Sequence, residues 1–362
     1  FVPGSGIYLL SHSVGRLPVN AREALNAHFF DPWESGPPDV WPSWIQGIDR
    51  FRQALGRLFN ADAEEFCPQT NLSSGLTKLL YSQPPRRGKN TLLLSEQDFP
   101  SMAFVLECAT RSGFKIKFIP ADTDLCDANT WDQFLTEDIH LALLTHVLSN
   151  TSQQIPVAEI TRITRAREII SVVDIAQSSG ILPINFRDWQ ADFVLGSCVK
   201  WLCGGPGAGY LWADPQTVSQ CEPVDVGWFS HQDPFEFDIH HFEYAQGVNR
   251  FWGGTPSVMP FVLAANSINT NIDIGTEQIR AHNLRLTQRV IDTLAEQLLV
   301  SPHEPDKRGG TLVLNFGERQ TQIAERLNEA QIRFDIRATG IRLSPHIYNS
   351  MDEMEILLGC LE

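Results

Sequence analysis

Between residues 60 and 215, short apolar runs alternate with stretches whose apolar side chains recur at helical spacing. The runs are Thr91–Leu94, Ile116–Ile119, Leu141–Thr145, Ile170–Asp174, Phe193–Gly196 and Gly209–Trp212. Strands alternating with helices in this way predict an α/β domain, with a mainly parallel sheet covered by helices on both faces. Upstream, Ile45, Ile48, Phe51, Leu55 and Leu58 predict a helix capped by Ser43. The helix follows Asp31–Trp44, a loop rich in proline and tryptophan that reads equally as a pocket wall or as a hydrophobic anchor. Residues 275–299 form a long amphipathic helix pattern. Leu312–Phe316, Ile323–Leu327, Ile332–Ile336, Ile341–Leu343 and a final helix near 351–361 then read as strand, helix, strand, strand, helix. That is a small α+β domain. The expected division is an N-terminal segment, 1–30, packing with the small domain, a large domain over 31–262, and the small domain over 263–362.

Composition narrows the class. The chain has 362 residues, 43% of them hydrophobic, which suits a soluble globular protein with a sizeable core. Its 28 Lys and Arg against 43 Asp and Glu give a net charge of −15. Such a surface disfavours nucleic acid and anionic membranes as partners, since both need basic patches. No apolar run approaches the roughly 20 residues of a membrane span. Seven cysteines, an odd number scattered at 67, 108, 126, 198, 203, 221 and 360, make no disulfide framework. A reducing cytoplasm is the expected location. The sequence opens on Phe1 and shows no leader, which leaves a cleaved one open.

In an open parallel sheet, ligands bind beyond the carboxyl ends of the strands. Asp174 ends one predicted strand, in Val-Val-Asp-Ile-Ala-Gln. Lys200 follows the next, and a glycine-rich turn at 204–209 leads into another. A carboxylate and an amine at neighbouring strand ends suit pyridoxal phosphate. The amine forms a Schiff base with the aldehyde, and the carboxylate keeps the ring nitrogen protonated. A surface lysine and a helix-capping aspartate would look the same at these two positions. Other chemistries lack their signatures. HExxH, paired CxxC and GxSxG are absent, His240 and His241 are adjacent, and the 204–209 glycines lack dinucleotide-binding spacing.

Longer stretches carry a family likeness. Asp174-Ile-Ala-Gln177, Gly196-Ser-Cys-Val-Lys200 and the following Trp-Leu-Cys-Gly-Gly-Pro-Gly-Ala-Gly209 resemble the class V branch of the fold-type-I pyridoxal-phosphate enzymes. Within that branch the likeness is closest to kynureninase. It rests on Gly227-Trp-Phe-Ser-His231 with Asp233-Pro-Phe-Glu-Phe237, and on Tyr8–Pro18, Phe99-Pro-Ser101 and Gly340–Asn349. The resemblance implies a large domain built on a mainly parallel seven-stranded sheet, a smaller α+β C-terminal domain, and a homodimer. It implies Lys200 as the Schiff-base lysine and proton shuttle, Asp174 on the ring nitrogen and Phe99 stacked on the ring. Ser73, at a helix N-terminus, matches a phosphate contact. Ser101, Thr145 and Ser197 match cofactor contacts. Trp228 and Thr255 match phosphate-side contacts that arrive from the other subunit. Arg342 matches the residue that binds the substrate α-carboxylate, a planar group suited to a guanidinium fork.

Departures from the pattern leave the reaction open. Kynureninase carries Tyr before the lysine, where this chain has Val199. Gln177 stands in place of its His, as in cysteine desulfurases, where Gln bonds the cofactor phenolate. Met102 stands in place of its Asp. Asn150 resembles the asparagine that approaches the ring in aminotransferases and desulfurases, or is a turn residue. A desulfurase needs a nucleophilic Cys before the C-terminal Arg, and none lies between 221 and 360. The expectation is a pyridoxal-phosphate enzyme acting on an α-amino acid, leaning to amino transfer. Kynureninase-like cleavage at Cβ is the alternative, and a non-catalytic binding module the remote one.

Overall fold

A computed structural model describes residues 1–362. Its strands are β1 (Ile7–Tyr8), β2 (Phe66–Gln69), β3 (Thr91–Ser95), β4 (Lys115–Ile119), β5 (Ile139–Thr145) and β6 (Ile170–Asp174), then β7 (Phe193–Ser197), β8 (Gly209–Ala213), β9 (Leu312–Leu314), β10 (Ile332–Arg333), β11 (Asp335–Arg337) and β12 (Gly340–Leu343). The large sheet has seven strands in the order β2-β8-β7-β6-β5-β3-β4. The β4-β3-β5-β6-β7 half is parallel, and β8 runs antiparallel to both β7 and β2. The six apolar runs are all strands of it. The seventh, β2, reads poorly in sequence because Pro68 interrupts it.

Near-continuous apolar strands require cover on both faces. One face lies under the helices Trp41–Phe59, Val157–Ala166 and Met259–Ile274, and the other under Leu72–Ser82 and Pro100–Ala109. Lys115 and Lys117 sit on β4, the exposed edge, where lysines oppose strand addition. No helix is long and apolar enough to cross a membrane.

Several sequence expectations shift in detail. The helix expected after Ser43 starts at Trp41, and Asp31–Glu34, expected as loop, is a short helical turn. Pro42 presets the first turn, and the Asp39 carboxylate accepts the Trp41 N–H at 2.9 Å, so no serine cap is needed. The 275–299 helix ends at Ile291, followed by a short 3₁₀ turn. The expected strand 332–336 divides at Phe334. Its first part, β10, pairs in parallel with β1, while β11 turns to pair with β12.

The small domain is thus a three-stranded antiparallel sheet, β11-β12-β9, beside the β1-β10 pair, with helices Thr276–Ile291, Gln320–Glu329 and Met351–Leu361. The N-terminal segment spans both units. Residues 7–9 join β10, whereas Asn20 bonds Asn266 at 2.9 Å and Phe29 stacks on Trp44 at 5.3 Å, both on helices of the large domain, whose cover extends past the expected boundary at 262 because Ala264, Ala265 and Ile268 pack into its core.

Candidate active site

The carboxyl ends of β5, β6 and β7 converge with two helix N-termini on a cavity of about 230 Å³. Asn71, Leu72, Ser73, Phe99, Ser101, Met102, Thr145, Val147, Ser149, Asp174, Ala176, Gln177, Ser197 and Lys200 line it. Larger hollows of about 400 and 520 Å³ lie beside the helix Trp41–Phe59. Neither touches a strand end, so neither is placed where this fold binds ligands.

Each wall has a local cause. Asn71 caps the helix Leu72–Ser82 by accepting the Ser74 N–H at 2.9 Å. The first N–H groups, at Leu72 and Ser73, lack intrahelical acceptors and carry the positive end of the helix dipole. Pro100 starts the next helix and sets Phe99 at its N-cap, half out of the protein, with its ring 5.7 Å from Lys200 Nζ. Asp174 ends β6 with one oxygen accepting the Ala176 N–H at 2.8 Å. Gln177 is gripped at both amide atoms. Its Nε2 donates to the His12 carbonyl at 3.1 Å, and its Oε1 accepts from Trp201 Nε1 at 3.3 Å. Lys200 lies in the turn after β7, with the Cys203 N–H on its carbonyl at 3.0 Å.

Burial sets the charges. It pulls the Lys200 amine down to about 8; Asp174 opposes the shift, and Arg342 and Arg337 add to it. A much larger fraction of the amine is therefore neutral near pH 7–8 than for an ordinary lysine. Burial also raises Asp174 from the usual carboxylate range, against the pull of the Ala176 N–H and Lys200. Asp98, one residue from Phe99, accepts the Ser95 N–H at 2.8 Å and is pushed up to about 7 by burial.

The cavity fits the cofactor implied by its residues. Ser149 Oγ is buried on its wall without a hydrogen-bond partner, and Thr145 Oγ1 is buried there beside the Asp98 carboxyl. Together with the free helix N–H groups, the Ser149 hydroxyl is placed for a ligand that the protein itself does not supply.

Of the twelve residues singled out in sequence, eight line the cavity: Ser73, Phe99, Ser101, Thr145, Asp174, Gln177, Ser197 and Lys200. Four do not. Arg342 is fully buried on β12, directly opposite Asp335 of β11 in the register. Its Nη1 donates to the Ser149 carbonyl at 2.9 Å and its Nη2 to the Asp335 carboxylate, while Nε has no partner. Asn150 turns away from the cavity toward the β11–β12 hairpin, its Oδ1 3.5 Å from Arg337 Nη1 and its carbonyl accepting from Thr339 at 2.8 Å. Trp228 donates through Nε1 to Thr255 at 3.3 Å, outside the cavity. The three tryptophans at 33–44 also lie elsewhere. Trp41 packs edge-on to Trp228 at 5.5 Å, and Trp33 to Trp44 at 5.4 Å, so the patch is an aromatic anchor for the segment carrying Trp228.

Other residues escape sequence reasoning. Asp335 is shared by Arg342, His12 at 3.4 Å and Arg337 at 3.9 Å. Burial works against its charge, yet the bonds from His12 and Arg342 hold it well below the usual carboxylate range. His12 itself is kept neutral, lowered to about 4 chiefly by burial. Lys78 reaches from the helix Leu72–Ser82 to the carbonyls of Phe251 and Trp252 at 3.0 and 2.8 Å, fixing the approach to Thr255. The alternation Asp335, Arg337 on one strand was the only visible hint of these.

The sheet order, the strand-end lysine and aspartate, and the length of the match define a class. The family described as Aminotransferase class-V matches residues 43–357, and the chain belongs to that family. It is a pyridoxal-phosphate-dependent enzyme. Among curated proteins, the kynureninase of Deinococcus radiodurans is 29% identical, over 94% of this chain and 85% of that protein. The kynureninase of Bacillus cereus is 26% identical over 96% and 86%, and the uncharacterized aminotransferase YcbU of Bacillus subtilis 24% over 87% and 83%. Among solved structures, the apo cysteine desulfurase of Thermococcus onnurineus superposes with a TM-score of 0.86 at 22% identity, over 99% of this chain and 94% of that one. A mutant of C-DES, with glycine covalently linked to its PLP cofactor, gives 0.87 at 24%, over 99% and 96%. At these identities the structures speak for the fold.

Proposed function

We propose that this enzyme transfers the amino group of an α-amino acid to an oxo acid. When bound, pyridoxal phosphate supplies an electron-accepting ring that stabilises negative charge at the substrate Cα. Lys200, Asp174, Gln177 and Phe99 would hold its ring, and Ser73, Ser101, Thr145 and Ser197 its polar groups. Lys200 Nζ is the base that takes the Cα proton and returns one, and its lowered pKa suits that task near neutral pH. Asp174, raised by burial and held back by the Ala176 N–H and Lys200, would pair with the ring nitrogen. Arg342 positions the α-carboxylate. Trp228 and Thr255 complete the site of a second subunit in a homodimer. A cytoplasmic location belongs to the same reading.

One observation carries the choice of reaction. Along the cavity wall, Lys200 and Asp174 are the only acid–base side chains. Amino transfer needs one mobile proton carrier. Hydrolytic cleavage at Cβ needs a further acid–base group to activate water and protonate the leaving carbon. Val199, Gln177 and Met102 stand where kynureninase would carry such groups. The second reading, kynureninase-like cleavage, draws on the nearly full-length likeness to curated kynureninases.

The test offers the purified protein amino acids with an oxo-acid acceptor and, separately, L-kynurenine. New amino acid formed from the acceptor is expected. Anthranilate released at enzymatic rates, without amino transfer, would overturn the proposal in favour of the second reading. Borohydride should fix the cofactor on Lys200, and Lys200→Ala should abolish that fixation; fixation that survives removes the assignment of the lysine.

A further inference from the structure

We propose that His231, Glu236 and His241 form a binding site for a divalent transition-metal ion of the zinc class, on the loop that follows Trp228. One ligand atom from each lies within 4.8 Å of the others. Glu236 reaches both histidines, with Oε1 at 3.0 Å from His241 Nδ1 and Oε2 at 4.0 Å from His231 Nε2. Tetrahedral bonds of about 2.0–2.1 Å set ligand atoms roughly 3.4 Å apart, so the cluster closes on an ion with shifts of about an ångström. Two imidazoles and one carboxylate, with a fourth position left to water, form a donor set that zinc accepts.

The independent observation is His231. It is only 7% exposed, and its Nε2 is buried without a hydrogen-bond partner. A neutral imidazole rarely leaves a ring nitrogen unused in the interior. Its Nδ1 lies 2.8 Å from the Asp233 carbonyl. Donation of the Nδ1 proton there frees the Nε2 lone pair, which is the usual outer-shell support of a ligating histidine. The Asp233 N–H also lies 3.0 Å from Nδ1 and favours the opposite tautomer. Metal binding selects the first arrangement.

The scaffold suits an ion that acts by closing a loop. Gln232 donates to the Glu243 carbonyl at 2.9 Å, and Ala245 to that of Ser230 at 2.8 Å, so the loop is already pinched at its base. An ion joining His231, at that base, to Glu236 and His241 would tie the tip down to it. The tip carries Phe235, which meets Trp228 edge-on at 5.6 Å, and Phe237, which is 77% exposed. The metal would therefore stiffen the segment that presents Trp228. His240, adjacent to His241, is outside the cluster and is the internal control.

The experiment titrates metal-stripped, cofactor-loaded protein with Co²⁺, and with Zn²⁺ against a coloured chelator. One equivalent per chain is expected, with cobalt d–d absorption and no thiolate-to-cobalt band. Removal of even outer-shell partners costs about 10–100-fold in metal affinity, so Glu236→Gln and His241→Ala should each lose at least about 100-fold. His240→Ala should bind as the wild type does. Zn²⁺ should slow chymotrypsin cleavage at Phe235 and Phe237 in the wild type and not in His241→Ala. His241 and Glu236 are surface residues, so their variants should fold, as circular dichroism can check. Absence of stoichiometric binding, a thiolate band, or equal loss in His240→Ala would each overturn the site.

Discussion

Gly15 lies where the N-terminal segment crosses the turn that carries Lys200, and its N–H donates to the Val199 carbonyl at 2.8 Å. A Cβ added there would stand 2.2 Å from the Lys200 carbonyl oxygen, 2.5 Å from Cys203 Sγ and 2.8 Å from Cys203 Cα. Two of these three are backbone atoms. Cys203 is already held at φ 56, with its own N–H on the Lys200 carbonyl, so the turn has little freedom to yield. In Gly15→Ala the segment must lift by roughly 1 Å. That forfeits a hydrogen bond of about 1 kcal/mol and adds overpacking of about 1–3 kcal/mol. The sum is about 2–4 kcal/mol. Unfolding entropy scaled to this length converts each kcal/mol into about 1.3 °C, so Tm should fall by about 3–5 °C. The lift also frees the backbone on both sides of Lys200, so bound cofactor should dialyse away faster. Gly359→Ala is the counter-test. It lies in the helix Met351–Leu361 with nothing within 4 Å of a new Cβ, and alanine there should stabilise by about 0.5–1 kcal/mol. Thermal unfolding and the visible absorbance retained after dialysis read both effects. Wild-type Tm and wild-type retention in Gly15→Ala would refute the reasoning.

Reconstitution of cofactor-free protein with pyridoxal phosphate requires a neutral Lys200 amine, so its rate should rise with pH and level off above about 8. Arg337→Gln removes a cation that favours the neutral amine, and the midpoint should move to higher pH; a downward move, or none, contradicts the assigned electrostatics. Arg342→Ala should raise KM for the amino acid about 100-fold or more, because a buried charge-assisted pair is lost, while far-UV dichroism stays native. A mixture of Lys200→Ala and Thr255→Ala chains should recover up to about a quarter of wild-type activity, since one hybrid site in a mixed dimer is intact. No recovery on mixing would place Thr255 and Lys200 in the same subunit's site, or the chain as a monomer.

The order of apolar runs made the large sheet legible, because parallel strands buried on both faces leave no room for polar alternation. β6 was visible residue for residue, ending on Asp174. β2 escaped because its proline and its end position mask the strand signal. The strand-end rule with the Lys200 and Asp174 pair pointed to the strand ends where the cavity lies, and the family likeness added Ser73, Phe99 and Gln177, which also line it. What stayed hidden was the electrostatic frame of Arg342. Asp335 and His12 lie 323 positions apart in the chain and meet only because β1 pairs with β10 and β11 folds back on β12. Non-local pairing of that kind leaves no periodicity to read. The same holds for Lys78, a lysine in an ordinary helix pattern whose role depends on two carbonyls more than 170 residues away.

On the proposed reading, the net charge of −15 is reconciled with an anionic cofactor and a substrate carboxylate by where charges sit, and the Arg342 frame is the instance. Arg337, Arg342 and Lys200 converge near the strand ends, each within reach of one carboxylate, Asp335 or Asp174. The site is thus neutralised internally rather than left strongly cationic. If Arg342 holds the α-carboxylate as proposed, the incoming group need not create a new charge environment for it. It adds to, or exchanges with, the carboxylate already there, with the unpartnered Nε still available as a donor. Preformed pairing of this kind keeps the guanidinium in place before substrate arrives. It lowers the ordering cost of binding, at the expense of competition from Asp335. Asp335→Asn separates the two effects. If orientation dominates, KM rises; if competition dominates, KM falls. The register that sets Asp335 directly opposite Arg342, with His12 and Arg337 holding the carboxylate from two further sides, favours orientation, and a rise in KM with little change in kcat is the expected result.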